Sequence, residues 1–195
     1  GLRPGLFLDR DGVLVEEVEH LHRTRDLRLL PGAAEIAAAA NAAGVAAVTV
    51  SNQSGIARGM YGWDAYEAVE AEIDRRLGQT GARLDARVAC GTHPDFTPNW
   101  SAAHAHWRKP GPGMLVFAAE RLGLDLARSW MVGDMATDAA AAKAAGLKGC
   151  IHVATGHGAD HFEAALSEAT QGFTVLPAAD LIEARDLLTG QGLLR

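Results

Sequence analysis

The chain has 195 residues, of which 48% are hydrophobic and 22% are charged, and its composition is that of one globular domain over residues 1–195. Its formal net charge of −6 argues against a nucleic-acid or membrane-surface partner, since both attract basic faces. No apolar run approaches the roughly 20 residues that span a bilayer, no signal-peptide pattern opens the sequence, and the two cysteines form no disulfide framework, so we expect a cytoplasmic location.

The first predicted element is a short buried strand, Leu6–Leu8, which ends in Asp9 and Asp11 just before Gly12. An extended chain repeats every two residues, so both carboxylates leave the strand in about the same direction. Two like charges this close need a cation between them, or one of them must keep a proton. The pattern indicates a magnesium site with a nucleophile and a proton shuttle side by side. A strand closed by an Asx turn is the alternative explanation.

Apolar strands then alternate with helices along the rest of the chain. We predict helices at 31–43, 63–78, 112–122, 136–145, from 160 onward and at 178–188, and strands at 45–50, 84–89, 130–132, 149–154 and 173–176. The stretches 13–29 and 91–108 are predicted to be irregular. This alternation favours a Rossmann-like α/β fold, a parallel sheet with helices on both faces.

Polar residues follow several of the predicted strands. Ser51 ends the second strand and Asp134 follows the strand at 130–132, as Asp9 and Asp11 follow the first. Ligands of open parallel sheets bind beyond the carboxyl ends of the strands, so we expect these side chains to form one site. Lys109 is a further candidate. Taken singly, such residues are more often turns, helix caps or solvated surface.

This set of residues suits phosphoryl transfer to a carboxylate. Asp9 would attack phosphorus and form an aspartyl phosphate, while Asp11 would protonate the leaving oxygen and later take a proton from water. Mg²⁺ prefers oxygen ligands, which Asp9, Asp134 and the backbone carbonyl of Asp11 could supply. The Ser51 hydroxyl and the Lys109 ammonium would hold phosphate oxygens. Asp138, one helical turn after Asp134, would orient Lys109 or waters around the metal.

The same residues resemble the haloacid dehalogenase (HAD) phosphohydrolase superfamily. Three runs, 8–12, 51–59 and 108–114, are similar to its heptose bisphosphate phosphatases and to the related histidinol-phosphate phosphatases. The resemblance implies an Mg²⁺-dependent phosphatase that acts on a small phosphorylated metabolite, most readily a sugar bisphosphate losing its 7-phosphate. It also implies the substrate-contacting residues Glu17, His20, Asn52, Gln53, Ser54 and Arg108. The intervals between motifs are too short for a cap domain, so the fold should be capless.

One loop departs from the pattern of the heptose bisphosphate phosphatases that the sequence resembles. Those enzymes carry a zinc site of cysteines and histidine just before Arg-Lys-Pro. Here the corresponding side chains are Cys90, His93, His104 and His106. These four could still form a tetrahedral structural zinc site, because imidazole is a good ligand for Zn²⁺. The alternative is a loop that has lost its metal and kept stray histidines.

Two other classes of protein are also compatible with the sequence. A phosphate-accepting receiver domain of signalling proteins is also α/β, with clustered aspartates and a lysine, although its acidic pair is usually adjacent rather than spaced as Asp9 and Asp11 are. A catalytically silent binding module is the other interpretation. The oligomeric state is not indicated by any feature of the sequence.

Overall fold

A parallel sheet flanked by helices organises the chain, and the computed structural model describes all residues from 1 to 195. The strands are β1 (Gly5–Leu8), β2 (Ala46–Asn52), β3 (Ala86–Cys90), β4 (Trp130–Gly133), β5 (Gly149–Val153) and β6 (Thr174–Ala178). The helices are α1 (Ala33–Ala42), α2 (Ser54–Ala57), α3 (Trp63–Gly78), α4 (Ala102–Trp107), α5 (Gly113–Leu122), α6 (Ala136–Ala144), α7 (Gly158–Leu166) and α8 (Leu181–Gly190). None of them combines the length and the apolar character that crossing a bilayer requires.

All six strands are parallel, and their order across the sheet is β3-β2-β1-β4-β5-β6. Strand β1 is central, and its residues are fully buried because helices cover both faces of the sheet. This explains why its sequence is uniformly apolar rather than alternating. The predicted Rossmann-like α/β fold is therefore confirmed, and it is capless as expected.

The two faces of the sheet carry separate cores. Leu6 and Leu8 of β1 point into a core shared with α1, α3 and α8, which contains Ile36, Ile73 and Leu188. Phe7 points the opposite way, into a core that includes Met114 and Leu115 of α5. The alternating directions of β1 side chains thus fix which helices pack on which face.

The strand order reverses at β1, which pairs with β2 on one side and β4 on the other. In open α/β sheets such a reversal opens a crevice at the carboxyl edge, where ligands bind. Asp9 leaves the sheet there, and its backbone N–H donates to the Val132 carbonyl of β4 at 3.1 Å. Asp134, just after β4, is consequently next to it.

Most predicted elements are found within three residues of the expected bounds, but one prediction was wrong. Residues 91–108 are not wholly irregular, because they contain α4. The prolines suggested a loop, yet both lie before residue 101. A capping box formed by Ser101 and His104 starts this helix, and the Trp107 indole N–H donates to the Ala89 carbonyl at 3.1 Å. The short helix α2 was also missed.

Candidate active site

Three buried aspartates meet at the carboxyl ends of β1 and β4. Oxygens of Asp9, Asp134 and Asp138 all lie within 4.8 Å of one another. Asp134 Oδ2 accepts a hydrogen bond from the His157 backbone N–H at 2.9 Å, whereas its Oδ1 is buried without a partner. A buried acceptor with no donor is costly unless a cation satisfies it. The cluster therefore fits a hard divalent cation such as Mg²⁺, which takes carboxylate oxygens as ligands.

Lys109 is the positively charged side chain inside this cluster. Its ammonium donates to Asp138 Oδ1 at 2.7 Å and to the Val50 carbonyl at 2.8 Å, and it lies 3.2 Å from Asp9 Oδ1. The structure thus brings Asp138 to the place predicted for orienting Lys109. The ammonium contacts two of the three clustered carboxyl groups, so the buried site has more acidic than basic groups.

The pKa values of the aspartates reflect first their burial and then the neighbouring carboxyl groups. Burial raises the pKa of Asp9 well above its usual range, and the neighbouring Asp138 raises it further, while Lys109 opposes both. Burial, followed by Asp138, also raises the pKa of Asp134. A bound divalent cation would favour the ionised forms of these carboxylates and reverse the direction of both shifts.

Two glycines allow the backbone to approach Asp134 closely. Gly12 and Gly156 have φ angles of 81° and 57°, in the left-handed region that favours glycine. A Cβ atom built on either residue would collide with Asp134 Oδ2. Any larger side chain at these positions would displace the carboxylate predicted to hold the metal.

The turn after β2 supplies amide and hydroxyl groups. Gln53 Nε2 donates to Ser51 Oγ at 2.6 Å and to Asp11 Oδ2 at 2.9 Å, which places the predicted proton shuttle beside the predicted phosphate ligand. Asn52 forms two hydrogen bonds with the backbone of Lys109: its Nδ2 donates to the carbonyl at 3.0 Å, and its Oδ1 accepts from the N–H at 3.2 Å. Asn52 therefore ties the loop that carries Lys109 to the end of β2.

The Asp11 carboxylate is not one of the three clustered carboxylates. It faces Arg10 instead: Arg10 Nε donates to its Oδ2 at 3.0 Å, and Arg10 Nη2 donates to its Oδ1 at 3.1 Å. Only the backbone carbonyl of Asp11 was predicted as a metal ligand, and that assignment stays a prediction.

A cavity of about 770 Å³ opens above these residues. Eleven of the residues predicted from the sequence line it: Asp9, Asp11, Glu17, His20, Asn52, Gln53, Ser54, His93, Arg108, Lys109 and Asp138. Ser51 and Asp134 are buried just beneath, 2% and 1% exposed. Burial raises the pKa of Glu17 to about 7, and the charge of Asp11 adds to this shift. The Arg108 guanidinium, at another side of the cavity, donates to the Thr92 carbonyl at 2.9 Å.

Comparison with known proteins gives consistent results. Residues 106–180 match the model of the HAD-hydrolase-like family. The D-glycero-β-D-manno-heptose-1,7-bisphosphate 7-phosphatase of Mesorhizobium japonicum is 40% identical over 185 residues, covering 95% of this chain and 81% of the relative. The D-glycero-D-manno-heptose-1,7-bisphosphate 7-phosphatase of Thermosynechococcus vestitus is 43% identical over 178 residues, covering 87% of this chain and 88% of the relative.

One similar protein has been solved with ligands bound. The D,D-heptose 1,7-bisphosphate phosphatase of B. bronchiseptica, complexed with magnesium and phosphate, is 30% identical, with a TM-score of 0.80 over 96% of this chain and 99% of that one. This chain belongs to the HAD-like phosphatase family. This membership excludes the two other interpretations of the sequence, a receiver domain and a catalytically silent binding module.

The zinc site predicted for this HAD-like phosphatase finds no support in the structure. The four side chains do not gather into a group that could hold a metal ion, and three of them have other partners. The Cys90 thiol lies 3.2 Å from Thr92 Oγ1, His93 Nδ1 accepts from the Asp95 N–H, and His104 Nδ1 accepts from the Ser101 N–H. Hydrogen bonds and aromatic stacking, including Trp100 on His104, hold the loop instead.

We therefore expect the purified phosphatase to contain no stoichiometric zinc. Metal analysis by mass spectrometry should give well under one zinc per chain, and zinc chelation should leave the unfolding temperature unchanged. The variant Cys90→Ser, which removes the one thiolate ligand on offer, should behave in the same way. One zinc per chain that is lost in Cys90→Ser would contradict this prediction.

Several residues around the site were missed by the sequence analysis. Arg10 and Glu70 form a buried ion pair at 3.1 Å beside Asp11, and Tyr61 donates to Gln53 Oε1 at 2.6 Å. The backbone N–H of His157 holds Asp134. A signal existed for Glu70 alone: it precedes Ile73 by three positions, so it lies on the apolar face of α3, where an unpaired charge would be costly.

Proposed function

We propose that this phosphatase removes the 7-phosphate of a D-glycero-D-manno-heptose 1,7-bisphosphate. The observation that carries the proposal is the cluster of Asp9, Asp134, Asp138 and Lys109 at the floor of the cavity, in a chain up to 43% identical to enzymes named for this reaction. The alternative substrate is histidinol phosphate, or a sugar phosphate other than the heptose bisphosphate, since the same chemistry would serve each of them.

In the proposed reaction Asp9 is the nucleophile. An Asp9 oxygen forms a bond to phosphorus as the bond from phosphorus to the sugar oxygen breaks, which leaves an aspartyl phosphate. Lys109, held by Asp138, contacts Asp9 and would stabilise the charge on the transferring phosphoryl group. The Ser51 hydroxyl would hold another phosphoryl oxygen.

Asp11 is the proposed acid and base. It gives its proton to the sugar oxygen as that group leaves, and then accepts a proton from the water that attacks phosphorus. The bond from phosphorus to Asp9 breaks in the second step, which releases inorganic phosphate and restores both carboxyl groups. Its place beside Gln53 and Ser51, at the edge of the cavity, suits this role.

Mg²⁺ is the proposed cofactor, with Asp9 and Asp134 as its side-chain ligands. When bound, it would neutralise the phosphate charge that otherwise repels an approaching carboxylate. The unpartnered Asp134 Oδ1 and the excess of buried acidic groups support this proposal. The two cysteines are unpaired, which is consistent with a reducing compartment such as the cytoplasm.

Turnover of a substrate panel with and without Mg²⁺ tests the proposal. We expect phosphate release from the heptose bisphosphate with a kcat/KM at least about tenfold above that for histidinol phosphate. Activity should disappear with EDTA and return when Mg²⁺ is added in excess. Both anomers of the heptose bisphosphate belong in the panel, because neither is favoured by any contact described above. A clear preference for another phosphoester would overturn the substrate, and the absence of phosphate release from every ester would overturn the proposed function.

A further inference from the structure

Arg10 is the most heavily engaged side chain near the site, although the reaction described above does not use it. It is 1% exposed, and its guanidinium donates to both oxygens of the Asp11 carboxylate. It also donates to Glu70 Oε1 at 3.1 Å, to Gln53 Oε1 at 3.2 Å and to the Leu21 carbonyl at 3.3 Å. One side chain thereby joins α3, the turn after β2 and the stretch after β1 to the proposed acid and base.

Glu70 holds the side of the Arg10 guanidinium that does not contact Asp11. It is 1% exposed on the buried face of α3, and its one side-chain hydrogen bond comes from Arg10, since Oε2 has no partner. Buried ion pairs contribute little net stability compared with apolar residues of similar volume. Stability alone therefore does not explain this buried charge, whereas the direction that it imposes on Arg10 is a role it can have.

The orientation of Asp11 matters because its proton must reach the leaving oxygen. A carboxylate on a turn can rotate about χ1 and χ2, whereas a planar guanidinium that donates to both oxygens fixes its direction. General acid catalysis depends on this geometry, because the proton is transferred only over hydrogen-bond distance.

We propose that Arg10, anchored by Glu70, is a positioning residue that fixes the direction of the Asp11 carboxyl group, which in its protonated form gives its proton to the leaving oxygen. This inference rests on the proposed role of Asp11 as the acid of the phosphatase reaction. It assigns to Arg10 and Glu70 no contact with substrate or metal.

The dependence of rate on the leaving group distinguishes positioning from a structural role. Aryl phosphates of similar size, from 4-nitrophenyl to phenyl and 4-methoxyphenyl, need increasing help from an acid as the phenol becomes less acidic. In Glu70→Leu we expect kcat/KM for the phenyl ester to fall on the order of tenfold or more, and that for the 4-nitrophenyl ester to fall less than about threefold. In Glu70→Gln the amide oxygen can still accept from Arg10, so the wild-type pattern should be largely restored.

The control is Glu67→Leu, the same substitution at an exposed position of α3, which should leave all the rates unchanged. If Glu70→Leu fails to fold, Arg10→Lys takes its place, because a compact ammonium lacks the planar fork that donates in parallel to both Asp11 oxygens while another edge reaches Glu70, and the same steepening is expected. Equal losses for all three esters, or no loss for any, would overturn the inference. Turnover by the wild-type enzyme tests the proposed function separately.

Discussion

Replacing Asp9 with asparagine is expected to lower kcat by more than about 10⁴-fold while the protein stays folded. The amide has the shape of the carboxylate but lacks its nucleophilic oxygen, so no aspartyl phosphate can form. The unfolding temperature should not fall, because burial and the charge of Asp138 already disfavour ionised Asp9 when no metal is bound. Phosphate release under saturating substrate and thermal unfolding without added metal measure the two expectations.

Asp186→Asn is the matched control for this variant. The Asp186 side chain on α8 is 69% exposed and lies outside the cavity lining, so the same change of charge there should alter neither quantity. Near-full activity in Asp9→Asn would remove Asp9 as the nucleophile. A large loss of stability with no loss of activity in the folded fraction would have the same consequence.

The second large effect is expected for Lys109→Met. Removal of the ammonium should lower kcat by about 10²–10³-fold, because the charge on the transferring group is no longer stabilised. The variant should also lose about 3–5 kcal/mol of stability, since Asp138 would remain buried and charged without its partner. Urea unfolding and steady-state kinetics give the two values.

The double variant Lys109→Met with Asp138→Asn separates these two effects. Because the unpaired charge is gone, we expect most of the lost stability to return, whereas kcat should stay low. A double variant no more stable than Lys109→Met would show that the 2.7 Å contact with Asp138 is not the source of the loss. Recovery of activity would contradict the role proposed for Lys109.

The fold could be predicted from the sequence because local patterns and tertiary structure agree. The apolar β1 and the periodic apolar face of α3 each specify one element, and their alternation favours only a parallel sheet. The helix α4 was missed because its start depends on Ser101 and His104 capping each other, while the surrounding prolines suggested a loop. Capping of this kind competes with turn signals at short range.

The site could be predicted only in part. Asp9, Ser51 and Asp134 share a position at strand ends, which topology brings together. Arg10 gave no such signal, since an arginine between two aspartates is ordinarily solvated, and its partner Glu70 lies 60 positions away in the sequence. The zinc prediction finds no support, since ligand type and spacing do not specify whether four side chains point to one centre.

The two hydrogen bonds between Asn52 and the Lys109 backbone attach the lysine to the sheet rather than to the loop that precedes it. Substitutions in residues 92–104 can then reshape the wall of the cavity without shifting the ammonium at its floor. This segment can then change in sequence while the phosphoryl chemistry stays the same. New substrate preferences in this lineage should therefore arise first in that segment, and exchanging it between relatives is a direct route to altered selectivity.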